Sequence, residues 1–566
     1  MIVSAVSLWK KFNVSEPLDI REWGVTETDG KRFSHVRFLG HRVEDGAVRI
    51  YARWIKPQTK GKTPAIVLLG DAGKPVDEQL ARFFADKGYA VLMPDYSGKM
   101  PTDEEGTPRT EYPASLSFAN LDSAKGFSSM VDVEADGSCW FEWTYVALYA
   151  VEFLTRMDAI GSVGVVGVRV GGDIAWQTLL SPQIKCGVPI NAVGWKSFVG
   201  SQKFGDNTAR NFDDDSHRFI AAVEAQSYAP YIKCPVLMLC ALRDDAFDCD
   251  RAYDTFSRLG GEGDSALYYA PESGSCLGPN AIINMELFLE KMLKGREIYI
   301  PETPNVTINE VEDGIDITFE GDSEGILEEA GLYYAEADTQ TRCAYRDWHK
   351  IYHTDGKSVK NNKFTYHRHA FGGAQAVYVF AYAKYINGFR VMSKIASKRI
   401  AKPNKSAVRS RVLFSGDGQD SFCVAEYKGY SVGDIFLEHT AVPSLVTGYG
   451  NVQGVFSIGG VKTYKISSPR HEPDENALLE FDVYFETDDS VVVSIEAGDV
   501  QTQFDRYVYE TEIKGGGKWK RIILKADDLK SETTGKSLKS FAQGRAITFD
   551  CVNDDTKFAV TNILWL

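Results

Sequence analysis

Gly167-Val168-Arg169-Val170-Gly171-Gly172 decides how the first half of this chain is read. Ahead of it, Ser162-Val163-Gly164-Val165-Val166 has the apolar, β-branched character of a buried strand. Behind it, Asp173-Ile174-Ala175 opens a helix. The glycines allow a strand and a helix to pack closely across a tight turn, which strains its central residue and exposes that side chain. Here the central residue is Arg169, whose guanidinium is permanently protonated and is not a nucleophile.

Strand–helix alternation extends outward from this turn in both directions. Upstream, Val48 to Ile55 alternates as a strand before the polar break Lys56 to Gly61. The apolar run Pro64 to Leu69, a Gly-Asp-Ala-Gly turn, the helical pattern Glu78 to Lys87 and the run Tyr89 to Asp95 follow. Downstream come Cys186 to Ile190, Cys234 to Cys240, Ala266 to Tyr269 and a helix from Asn284 to Leu293. The pattern predicts a mostly parallel sheet with helices on both faces over residues 1–300. After Ile298-Tyr299-Ile300-Pro301-Glu302-Thr303-Pro304 the strands become short and alternating, which predicts an all-β sandwich over 301–402, closed by the linker Lys402-Pro403-Asn404-Lys405-Ser406. A second all-β sandwich is expected over 403–566, through Leu478 to Phe485, Val491 to Ile495, Lys518 to Leu524 and Phe558 to Leu566. No fixed-period repeat is present.

Composition narrows the function classes. A length of 566 residues calls for several cores, and no apolar run approaches a membrane span. Met1 to Lys11 carries its positive charges after a short apolar run, the reverse of a secretory signal, so a cytoplasmic location is expected. The nine cysteines form no Cys-x-x-Cys pair and read as reduced, mostly buried thiols. A net charge of −15 disfavours a nucleic-acid partner. No His/Cys cluster has zinc spacing, and no cofactor or metal is expected.

On these residues, positions from about 30 to 297 resemble the α/β-hydrolase superfamily, particularly its dienelactone hydrolase and acetyl xylan esterase branches. The resemblance implies ester hydrolysis by a Ser–Asp–His triad. Arg169 stands at the nucleophile position, Asp244 at the acid position with Asp245 beside it, and Ser275 at the histidine position. Within this domain the histidines are His35, His41 and His217; His217 is the one expected to reach the cleft from an insertion, although a solvated helix face suits it better. Oxyanion donors are expected from the backbone of Val170 and of the Asp71–Ala72 turn. Loss of nucleophile and base together removes roughly 10⁶-fold in turnover. The expectation is therefore a degenerate hydrolase domain that binds or scaffolds. Two roles are open to Arg169: an ion pair with Asp244 that closes the old pocket, or a fork presented to an anionic ligand beside a helix N-terminus. An esterase using Ser273, Ser275 or Cys276 and a self-assembling structural protein are the rival readings.

Other motifs carry less. Gly70-Asp71-Ala72-Gly73-Lys74-Pro75 lacks the first glycine and the Ser/Thr of a phosphate loop, and Arg169 replaces the middle glycine of a dinucleotide fingerprint. Asp244, Asp245, Asp248 and Asp250 crowd one loop without EF-hand spacing and read as a solvated strand end. The middle module, with Tyr333, Tyr334, Tyr345, Arg346 and Trp348, resembles immunoglobulin-like or fibronectin-like spacers that fix the outer domains. The last module resembles galactose-binding-like jelly rolls at Gly517 to Leu524 and Val560 to Trp565. This implies a carbohydrate partner, with Tyr507, Tyr509 and Trp519 among the candidate stacking platforms. A small anionic ligand and a homo-oligomer are the other partner expectations.

Overall fold

The computed structural model describes residues 12, 15–74, 78–99, 107–127, 135–199, 201, 203–204, 212–261, 263–312, 314–353, 362–401, 408–416, 418–426, 431–498, 504–553 and 556–566. The N-terminal stretch 1–11, Pro75 and the linker 402–406 lie outside the described residues.

Nine strands form the first sheet: β1 (Arg21–Thr28), β2 (Lys31–Val43), β3 (Gly46–Pro57), β4 (Thr63–Leu69), β5 (Ala90–Pro94), β6 (Ile160–Val168), β7 (Ile184–Ile190), β8 (Leu237–Ala241) and β9 (Ala266–Ala270). Their spatial order is β1-β2-β3-β5-β4-β6-β7-β8-β9. The pairs from β1 to β5 are antiparallel, and from β5 onward every pairing is parallel. Right-handed crossovers then dictate the layers, because the chain steps one way from β4 to β5 and the other way from β5 to β6. The helix Glu78–Asp86 accordingly lies on one face, joined to Pro279–Lys294 by the Lys87–Glu286 ion pair at 3.0 Å. The helices Cys139–Thr155 and Val170–Thr178 share the opposite face. Cys139–Thr155 is mostly apolar and is buried from Cys139 to Leu154, Glu142 and Glu152 included. This is the α/β-hydrolase fold.

The rest of the chain is all β. A three-stranded antiparallel sheet (Asn305–Val311, Gly314–Glu320, Lys363–Arg368) faces a second sheet built on Leu327–Ala337 and Ala376–Tyr385. One continuous apolar core runs from the first sheet into this middle module. Tyr269 packs edge-on against Phe380 at 5.4 Å, and the Asn284 amide exchanges hydrogen bonds with the backbone of Arg390 at 2.7 and 2.9 Å. Two six-stranded antiparallel sheets between Val412 and Trp565 enclose a separate core around Phe481, Val493, Ile495, Phe549 and Val560.

One segment of the last module leaves its own sandwich. The hairpin of Ser431–Val432 with Phe436–Leu437 turns through Gly433 and Asp434, both at positive φ, and buries Ile435 and Phe436 in the core of the first domain. Its docking is backbone-specific. Leu277 N–H donates to Ile435 O at 2.6 Å, and Leu437 N–H donates to Leu277 O at 2.8 Å.

Candidate functional site

Arg169 sits where β6 ends, at φ 52° and ψ −113°, and the helix Val170–Thr178 begins at the next residue. That conformation is strained for a residue with a side chain and is held by its surroundings. The glycines explain why the turn forms. A Cβ on Gly167 would collide with the Gly171 carbonyl, and one on Gly171 would collide with the carbonyls of Leu69 and Gly70. The backbone of the elbow is therefore intact although its central side chain is a cation.

That cation faces an anion. Arg169 Nη2 lies 3.1 Å from Asp244 Oδ2, and Asp244 follows β8, at the end of the strand that delivers the acid in this fold. The contact is an ion pair without aligned hydrogen-bond geometry, and the other oxygen, Oδ1, accepts the Ala246 N–H at 2.9 Å. The Asp244 side chain is 3% exposed and that of Arg169 27%. Burial raises the Asp244 carboxyl above its ordinary range, and the Arg169 charge opposes the rise.

The expected oxyanion donors converge on one oxygen, but that oxygen belongs to the protein. Ala72 N–H and Val170 N–H point to Asp71 Oδ1 at 3.0 and 3.4 Å. A carboxylate thus stands where a developing oxyanion would need those donors. Sequence reasoning named the backbone of this turn and missed the side chain that fills it.

The loop after β9 is equally committed. Ser275 is exposed, and its carbonyl accepts a hydrogen bond from Asn191 Nδ2 at 2.8 Å. Its neighbours Cys276 and Leu277 are buried beneath the hairpin, with Cys276 Sγ 3.6 Å from Asp434 O. Burial pushes the Cys276 thiol up to about 11. Gly433, Asp434 and Ile435 roof a cavity of about 250 Å³ whose other charged lining groups are Arg169, Asp71, Lys74 and Glu78. The dipeptide Gly433-Asp434 between apolar residues carries a hairpin signal in sequence, but nothing in it foretells docking onto a loop more than a hundred residues upstream.

None of the three histidines lines this cavity, although His35 lines an adjoining one that shares Asp71, Lys74 and Glu78 with it. His35 lies between Tyr51 Oη (2.8 Å) and Arg53 Nη1 (2.7 Å), His41 pairs with buried Glu142 at 3.0 Å, and His217 is exposed with Nδ1 2.9 Å from Asp213 O.

One expectation is corrected. The acidic loop Asp244 to Asp250 is not a solvated strand end, because the middle module covers it. Asp250 and Arg346, each 1% exposed, form a two-pronged ion pair at 2.6 and 2.8 Å, and Asp245 accepts from the Tyr345 hydroxyl at 3.0 Å. The aromatic candidates of the last module, Tyr507, Tyr509 and Trp519, are half-buried. Tyr507 and Tyr509 lie opposite Ile495 and Val493 and pack partly against the core. Trp519 donates Nε1–H to Tyr449 O at 3.1 Å, its ring close beneath Gly448 and Gly454. All nine cysteines are free, eight of them buried, and among the described residues no helix is long and apolar enough to cross a membrane.

Solved structures of esterases superpose on the first domain. Acetyl xylan esterase 1 from Thermoanaerobacterium sp. JW/SL YS485 matches with a TM-score of 0.38 at 16% identity, over 49% of this chain and 88% of that one. The acetyl xylan esterase from Paenibacillus sp. R4 gives 0.38 at 16% over 51% and 92%. A putative dienelactone hydrolase from Klebsiella pneumoniae subsp. pneumoniae MGH 78578 gives 0.29 at 15% over 43% and 86%. No family model and no curated protein matches the chain.

Proposed function

We propose that the chain is a non-hydrolytic protein on an α/β-hydrolase scaffold, acting in a binding or scaffolding role. The observation that carries this reading is Arg169, in the elbow conformation, ion-paired with Asp244 at 3.1 Å. A group that is always protonated neither attacks an ester nor takes a proton from water, and here it engages the acid that would orient a catalytic base. The Asp71 carboxylate on the oxyanion donors supports the same reading. An alternative nucleophile gains no support at Cys276, a buried thiol far from its reactive thiolate form at neutral pH.

Of the two ligand classes considered from sequence, a neutral carbohydrate fits the cavity better than a small anion. Its lining sets Asp71, Glu78 and Asp434 against Arg169 and Lys74, and Arg169 is already paired. The test is hydrolysis of a chromogenic acetate and of an acetylated xylo-oligosaccharide by the purified chain, with Asp244→Ala as control for a contaminating esterase. Equal rates in the two proteins are expected. Turnover lost in Asp244→Ala would overturn the proposal.

A further inference from the structure

Asp347 and His349, two residues apart in the middle module, meet His471 of the last module at the seam between the two. One donor atom from each lies within 4.8 Å of the other two. Asp347 and His349 flank the start of the strand His349–His353, where His349 Nε2 lies 2.6 Å from Asp347 Oδ2. His471 comes from the last module, fixed by its N–H to Ser468 O and by Trp565 Nε1–H to its carbonyl, both at 2.9 Å.

Two atoms of the cluster lack what burial requires. His471 is 7% exposed and Asp347 1%, yet His471 Nδ1 and Asp347 Oδ1 are buried without a hydrogen-bond partner. A buried polar atom left unsatisfied is costly and calls for an explanation. Hydrogen bonds from the nearby cations go elsewhere: Arg470 is forked onto Glu336 at 2.9 and 3.1 Å, and Lys465, whose charge also acts on Asp347, donates to Leu413 O. The His349 side chain is 32% exposed, which leaves the cluster one side open to solvent.

We infer that Asp347, His349 and His471 bind a divalent transition-metal ion of the zinc class, stapling the middle module to the last. Two imidazoles and a carboxylate are the borderline donor set such ions prefer, and three protein ligands leave a fourth position for water. Tetrahedral coordination at roughly 2.0–2.2 Å sets donors about 3.3–3.6 Å apart, so the His349 Nε2–Asp347 Oδ2 pair at 2.6 Å opens slightly while donors farther apart, all within 4.8 Å, draw in. The ion replaces the proton shared by His349 Nε2 and Asp347 Oδ2, which passes to solvent on binding. Because the ligands belong to two modules, occupancy favours their docked arrangement over an undocked one.

The experiment uses the full chain, free of any affinity tag and stripped with chelator, titrated with ZnCl₂ by calorimetry and with CoCl₂ by visible absorption. One equivalent of Zn²⁺, a rise in melting temperature and the d–d bands of low-coordinate Co²⁺ are expected. His471→Ala and His349→Ala should each weaken Zn²⁺ at least ~100-fold, since loss of an outer partner alone costs 10–100-fold. Asp347 is too buried for its variant to carry the test alone, whereas His349 is partly exposed and its replacement should fold. No binding by the unmutated chain, or affinity unchanged in both histidine variants, overturns the inference.

Discussion

The cleft at Arg169 and the seam at Asp347 are both lined by residue types that hold ligands elsewhere, and they differ in what those residues still lack. At the cleft Arg169 faces Asp244 in an ion pair, with Asp244 Oδ2 left without an aligned hydrogen bond, and the Ala72 and Val170 N–H groups face Asp71. At the seam, His471 Nδ1 and Asp347 Oδ1 are buried with no partner. A motif inherited with a fold marks where chemistry sits in relatives of that fold. At the seam the unmet bonding capacity falls on an imidazole and a carboxylate that a single metal ion would satisfy together.

The largest effect is expected where the first domain joins the seam's own module. Arg346→Met leaves Asp250 buried and uncompensated and should cost about 3–5 kcal/mol in denaturant unfolding. A loss below about 1 kcal/mol would mean that the fork is incidental. It would also weaken the case that the middle module fixes the acid loop.

Arg169→Ala should cost less, about 1–3 kcal/mol at neutral pH, because it strands the Asp244 carboxylate. Its pH dependence identifies the cause. Burial already raises Asp244, so below the ordinary carboxylate range the group is protonated and needs no cation, and the deficit should shrink in acid. A deficit independent of pH would assign the loss to packing of the arginine stem instead.

The smallest effect is expected at Glu272, on the loop after β9. Burial pushes its carboxyl up to about 7, and Oε2 has no partner. Between the ordinary carboxylate range and about 7 the unfolded chain is ionised while the folded chain holds a proton. Stability from this group is therefore present in acid and is lost as pH rises through that window. Glu272→Gln removes the penalty, so its gain in melting temperature should be larger at pH 8 than at pH 5. Equal gains would contradict the shift.

How much of this was legible in the sequence follows from what each feature depends on. The elbow was readable because glycine at 167 and 171 is demanded by local backbone contact, and the strand–helix alternation around it is periodic. The Arg169–Asp244 pair was foreseeable because fold order brings both strand ends to one edge. The Asp71 side chain was not, since its role rests on a rotamer. The hairpin roof at Gly433 to Ile435 and the burial of Asp250 by Arg346 were not, since they depend on how modules dock. The seam was hidden most completely, because His471 lies 122 positions after His349 and no local spacing joins them.

The most direct test of the central claim is a double-mutant cycle at the elbow. The unfolding free energies of the unmutated chain, Arg169→Ala, Asp244→Ala and the double variant are measured at neutral pH. If Arg169 and Asp244 satisfy one another, the two positions are coupled by about 1–3 kcal/mol and the double variant is less destabilised than the sum of the singles. Additive losses would show that the guanidinium and the carboxylate do not serve one another, and the account of a cleft satisfied from within would be wrong.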